Sequence, residues 1–112
     1  MLLAFGGKLS AQSKGDTAIV INERTDIDAL FKQAREVSFA GNNLQARRIL
    51  QRILERKPDY YDVRTFLGRT YAWDRQYDNA RTELSRVLID RENDQDALLA
   101  LIQARCLALG QA

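Results

Sequence analysis

Three aspartates, Asp28, Asp62 and Asp96, stand 34 residues apart, and each opens a related heptapeptide: DALFKQA, DVRTFLG and DALLALI. The same interval links Ala46 to Ala80, Leu50 to Leu84, Ile53 to Val87, and Phe39 to Trp73 and Leu107. So many matches in one register mark an internal repeat, present twice in full and followed by the first half of a third copy. No single unit of this size buries its own apolar face. Neighbouring units must stack to make a core, which constrains the fold before any individual motif is considered.

Each unit reads as two helices. Ile27, Leu30, Phe31, Ala34 and Val37 recur at helical spacing over 27–40, until Gly41-Asn42-Asn43 breaks the pattern. Leu44, Ala46, Ile49, Leu50, Ile53 and Leu54 resume it over 44–56, and Lys57-Pro58 ends it. The second unit repeats the plan at 61–74 and 78–90, with DRQY as its turn. Thr25, Asp59 and Asn93 are N-cap types, each followed three residues later by one of the spaced aspartates, and are expected to start the helices. Small residues, Ala34 with Ala46 and Gly68 with Ala80, mark where the two helices of a unit cross closely, with Tyr71 and Leu84 filling the space beside them. The expectation is an all-α solenoid of helix-turn-helix units, with repeats at 27–60 and 61–94 and a partial third at 95–112.

Composition narrows the chemistry. The 112 residues include no His and one Cys, which removes the usual zinc sites and the Ser-His and Cys-His pairs of nucleophilic catalysis. No metal site, cofactor or catalytic residue is expected. A net charge of +2 gives no reason to expect a nucleic-acid partner. The charge is uneven: residues 27–60 carry seven Lys/Arg against four Asp/Glu, and residues 61–94 six against seven. Arg48, Arg52 and Arg56 form a cationic stripe, read as a solvated helix face because it contains no aromatics.

With the second unit starting at Tyr61, the residues Leu67, Gly68, Tyr71, Tyr77, Ala80, Leu84 and Val87 resemble the pattern of the tetratricopeptide repeat family. The first unit matches at Ala34, Gly41, Ala46, Leu50, Ile53 and Pro58. It departs at Leu30, where the family has an aromatic, and at Val37, where unit two has Tyr71; unit two has Glu92 in place of Pro58. The resemblance covers 27–109 and implies a protein–protein interaction scaffold that takes a protein or peptide partner in a concave groove lined by the first helix of each unit. The groove positions it implies are Asp28, Phe31, Arg35, Ser38 and Phe39, then Asp62, Thr65, Arg69, Ala72 and Trp73. Arg35 and Arg69 are expected to stack as two cations, with Phe39 and Trp73 as an aromatic ridge beside them. Such a set suits an extended peptide or a sugar-like ligand. The alternative is that Arg35 and Arg69 pair with Asp28 and Asp62 while the aromatics are consumed between repeats.

LGRTYAWDRQYDNARTELSRVL followed by NDQDALLALI also resembles the repeat segment that precedes the β-barrel of YaiO-like outer-membrane proteins, where G-R-x-x-A-W is followed by Y-x-x-A-R-x-x-L. This narrower resemblance implies a module of the bacterial cell envelope, with outer-membrane association through a C-terminal barrel that this sequence does not contain. MLLAFGGKLSAQ resembles the distal half of a signal peptide, so 1–12 is read as a partial signal peptide or disordered tail and 13–26 as an extended linker, with a short strand at Ala18–Ile21. A periplasmic or outer-membrane location follows from that reading; a cytoplasmic adaptor or co-chaperone domain binding a peptide tail is the alternative. Cys106 is expected to be buried as a small apolar residue. The final helix is apolar on nearly every side, and the expectation is either that further repeats or a barrel follow it or that the chain self-associates through residues 96–109.

Overall fold

A computed structural model describes residues 26–110; the expected leader, most of the linker, its strand at Ala18–Ile21 and the cap at Thr25 lie outside them. Five helices follow one another: α1 (Ile27–Phe39), α2 (Asn43–Arg56), α3 (Tyr61–Trp73), α4 (Tyr77–Asp90) and α5 (Gln95–Gly110). Their packing is sequential, α1 with α2, α2 with α3, α3 with α4, and α5 against both α3 and α4. This is the all-α helical solenoid that the 34-residue register predicts.

The caps lie one residue later than the sequence pattern suggests. Asp26 accepts from the Asp28 N–H at 3.0 Å, and Asp94 accepts from the Ala97 N–H at 2.9 Å. Asp59 does not cap α3, whose N-cap is Tyr60 with no side-chain bond; Asp59 instead faces Lys57 at 3.4 Å. The reason is geometric. A capping oxygen must reach the N–H two or three residues ahead of it, and Asp59 stands two places before the first helical residue. Asn42, inside the first turn, caps α2 by accepting from the Gln45 N–H.

Both hairpin turns use one device. In the first, Gly41 N–H donates to Ser38 O at 2.9 Å and Asn42 N–H to Val37 O at 3.1 Å; in the second, Arg75 donates to Ala72 O at 3.0 Å and Gln76 to Tyr71 O at 2.8 Å. These paired bonds close a helix C-terminus when the residue after the cap takes a left-handed conformation. Gly41 does so at φ 101° and Arg75, one repeat later, at φ 65°. Glycine adopts that region without steric penalty, whereas arginine carries a Cβ into it.

Within each hairpin the helices approach closely. A Cβ added to Gly68 falls 2.7 Å from Leu84 Cγ, and Leu84 is fully buried. The main core joins Leu30, Ala34, Ile49, Leu50, Ile53 and Leu54 of the first hairpin to Val63, Phe66 and Leu67 of the second. The two hairpins differ at one matched pair. Leu30 and Ile49 are buried in the first, while Arg64 and Glu83 occupy the same repeat positions and form a 2.8 Å ion pair. The Arg64 guanidinium also donates to Pro58 O, and Tyr61 OH donates to Asp90 to tie the start of α3 to the end of α4.

Helix α5 packs inward through Ala97, Ala100 and Ala104 and leaves Leu99, Ile102, Leu107 and Leu109 exposed. Cys106 is exposed, contrary to the expectation of burial. Its counterparts one and two repeats earlier, Ala72 and Ser38, are buried because a further helix follows on their side. Among the described residues none follows α5. No described helix is long and apolar enough to cross a membrane.

Two substitutions test the packing in opposite directions. Gly68→Ala overpacks Leu84 and is expected to cost about 1–3 kcal/mol. Arg75→Gly relieves the left-handed arginine and is expected to stabilise by about 0.5–1 kcal/mol. Thermal melts followed by circular dichroism check both, and a melt unmoved by Gly68→Ala contradicts the close crossing.

Candidate interaction groove

Helices α1, α3 and α5 present their N-terminal halves to one face, where Phe31, Asp62, Thr65, Phe66, Arg69 and Asp96 line a hollow of about 290 Å³. Aromatic rings run across the floor. Phe31 meets Tyr60 edge-on at 5.7 Å and Phe66 at 6.1 Å; Phe66 in turn meets Phe39 at 5.8 Å and Trp73 at 5.7 Å. Phe39 and Trp73 lie 6.2 Å apart at a tilt of 54°. They remain 70% and 45% exposed, so the inter-repeat contact does not consume them. Phe66 is buried at the centre of the ladder and holds the outer rings in place.

The groove arginines do not pair with the groove aspartates. Neither Arg35 with Asp28 nor Arg69 with Asp62 is among the ion pairs of the described residues. Arg35 lies over the Phe31 ring at 4.2 Å, a cation–π contact along its own helix. Arg69 turns toward α5, donating to Gln103 Oε1 at 2.8 Å and to Asp96 O at 3.5 Å. Asp28 accepts the Tyr60 hydroxyl at 2.7 Å. That hydrogen bond, with burial and the charges of Asp28 and Asp62, pushes the Tyr60 phenol up to about 12, against a smaller opposing effect of Arg35.

Behind the groove a polar junction fixes one hairpin on the next. Arg47 is 6% exposed; its guanidinium donates to Thr70 O at 3.0 Å and to Asp74 Oδ2 at 2.8 Å, and lies over the Tyr71 ring at 4.9 Å. Asn43 Nδ2 donates to the other Asp74 oxygen at 3.1 Å, while Asn43 Oδ1 accepts from Ser38. Burial alone raises the Asp74 carboxyl, but hydrogen bonds from Asn43 and Arg47 and the guanidinium charge outweigh it and hold the group below its ordinary value. On the opposite side Arg48 is exposed and Arg52 pairs with Glu55 at 3.5 Å.

Phe66 and Arg47 went unnoticed in the sequence for different reasons. Phe66 breaks the register, since Lys32 and Ala100 occupy its repeat positions. Arg47 does have a counterpart in Arg81, but Arg81 reaches only Asp78 on its own helix. Asp96 in the lining was legible as the third of the spaced aspartates.

A family model of the tetratricopeptide repeat matches residues 40–106, more than half of the chain. The chain belongs to the tetratricopeptide repeat family. Tetratricopeptide repeats serve as protein–protein interaction modules. No curated protein and no solved structure matches this tetratricopeptide repeat chain.

Removing the Arg47 side chain takes the guanidinium donor from Thr70 O and from one oxygen of Asp74, and Arg47→Ala is expected to destabilise by about 1–3 kcal/mol. The folded Asp74 carboxyl titrates below its ordinary value of 3.8, so the junction's contribution is complete above that pH and fades as pH falls through the lowered value. Urea denaturation at neutral pH and at stepwise lower pH should show the parent and Asp74→Asn converging in acid. Parallel curves contradict the junction's electrostatic role.

Proposed function

We propose that the chain is a non-catalytic scaffold module that docks an extended peptide segment of a partner protein across the face of α1, α3 and α5. The observation that carries this is the exposed Phe39–Trp73 ridge standing beside a charged hollow on the face of α1, α3 and α5. Exposed aromatics with two side-chain torsions supply large contact area at low entropic cost. Arg35, Arg69, Asp28 and Asp62 flank the ridge and orient the peptide.

Trp73 is the sole tryptophan and reports on its own groove. Random decapeptides displayed and selected on the full chain should yield binders that shift its emission. Phe39→Ser should weaken those binders at least about tenfold, whereas Arg48→Glu with Arg52→Glu on the outer face should not. Equal losses from Phe39→Ser and from the outer-face pair, or none from either, contradict groove docking.

The chain is further proposed to lie in the bacterial cell envelope, as part of or derived from an outer-membrane β-barrel protein. This location is supported by the likeness of residues 67–102 to the YaiO-like repeat segment and by the short apolar run Leu2–Phe5. A fusion of the chain with its upstream coding sequence to an alkaline phosphatase, active only after disulfide formation outside the cytoplasm, is expected to be active. An inactive, stably expressed fusion favours the cytoplasmic adaptor instead.

A further inference from the structure

The charges left without a protein partner in the groove have the opposite sign from the arginines that stand out in the sequence. Both arginines are engaged within the chain, Arg35 on the Phe31 ring and Arg69 on Gln103 Oε1 and Asp96 O. The carboxylates of Asp62 and Asp96 line the same hollow and take no hydrogen bond or ion pair from any described residue. Asp28 adds a third negative charge beside them while accepting the Tyr60 hydroxyl. Resting on the groove-docking reading above, we propose that the hollow between α1, α3 and α5 receives a lysine or arginine side chain of the docked peptide.

Shape and charge agree on this occupant. At about 290 Å³ the hollow is at the lower end of the roughly 300–1,000 Å³ typical of small-molecule sites, and it suits one long side chain with a water or two. Phe31 and Phe66 offer apolar ring surface to the aliphatic stem. The cationic head then reaches Asp62 and Asp96, which outnumber the single guanidinium of Arg69 in the lining. Arg35 on Phe31 shows that a ring of this floor already attracts a cation. The Asp28 hydrogen bond and burial do most to raise the Tyr60 phenol, and the charges of Asp28 and Asp62 add to them more than Arg35 subtracts. With the basic residue seated here, the rest of the peptide runs along α1 and α3 toward Phe39 and Trp73. The partner motif is therefore a basic residue a few positions from an apolar one.

Three capped decapeptides of alanine and serine with one phenylalanine, differing at a single other residue as lysine, norleucine or glutamate and each made in both chain directions, test this by Trp73 fluorescence on the full chain. The lysine peptide is expected to bind about tenfold tighter than norleucine, and glutamate weakest. Asp62→Asn with Asp96→Asn should bring lysine and norleucine within about twofold while leaving norleucine binding unchanged and the helical circular dichroism spectrum intact. Binding of lysine no tighter than norleucine, with Phe39→Ser still weakening both, overturns the charged subsite and leaves groove docking standing. A response from none of the three peptides overturns both.

Discussion

The seam between α2 and α3 is the contact on which the rest of the molecule depends. A two-helix hairpin of this length cannot hold itself together, and here the second hairpin completes the core of the first. Leu50, Ile53 and Leu54 from α2 meet Val63, Phe66 and Leu67 from α3, and Arg47 closes the far end by bonding to the last turn of α3. The apolar part supplies the attraction. The directional bonds to Thr70 O and Asp74 fix the angle at which one hairpin sits on the next. Because α1 rides on α2, that angle also sets the gap between α1 and α3, and with it the 6.1 Å meeting of Phe31 and Phe66 that floors the groove.

The two complete repeats reach the same backbone arrangement by different means. Ala34 in the first and Gly68 in the second allow the close crossing, while Leu30 with Ile49 and Arg64 with Glu83 fill equivalent positions with apolar and ionic chemistry. The half-buried ion pair is satisfied further by Pro58 O, as a charge removed from water requires. Helix α5 has no such partner behind it among the described residues. That is why Ile102 occupies with 58% exposure the repeat position where Ala34 and Gly68 are buried.

The groove is a consequence of this stacking. One position repeated three times puts Asp28, Asp62 and Asp96 in a row, and another puts Phe39 beside Trp73. The lateral spacing of α1, α3 and α5 turns these rows into a surface with an acidic edge and an aromatic edge. Which charges remain available on it is decided by where the intervening side chains find partners, on Phe31 and Gln103 for the arginines and on Tyr60 for Asp28.

By itself the sequence determined everything that periodicity encodes. Five helices, their turns at Gly41 and Arg75, the crossing at Gly68 and the alignment of Phe39 with Trp73 all follow from a 34-residue register, because a repeated environment demands repeated residue types. Cap positions were legible to within one residue, since capping depends on reach along a local turn. Tertiary structure alone decided what breaks the register. Arg47 is buried and Arg81 is not, although the two are equivalent in sequence, because Thr70 and Asp74 stand before one, and Ala104 and Ala108 occupy the same places before the other. Cys106 is exposed although Ala72 is buried, because burial belongs to the neighbour that covers a residue. Arg35 and Arg69 chose a ring and an amide over the nearby aspartates, a choice among close-lying partners that no spacing in the chain records.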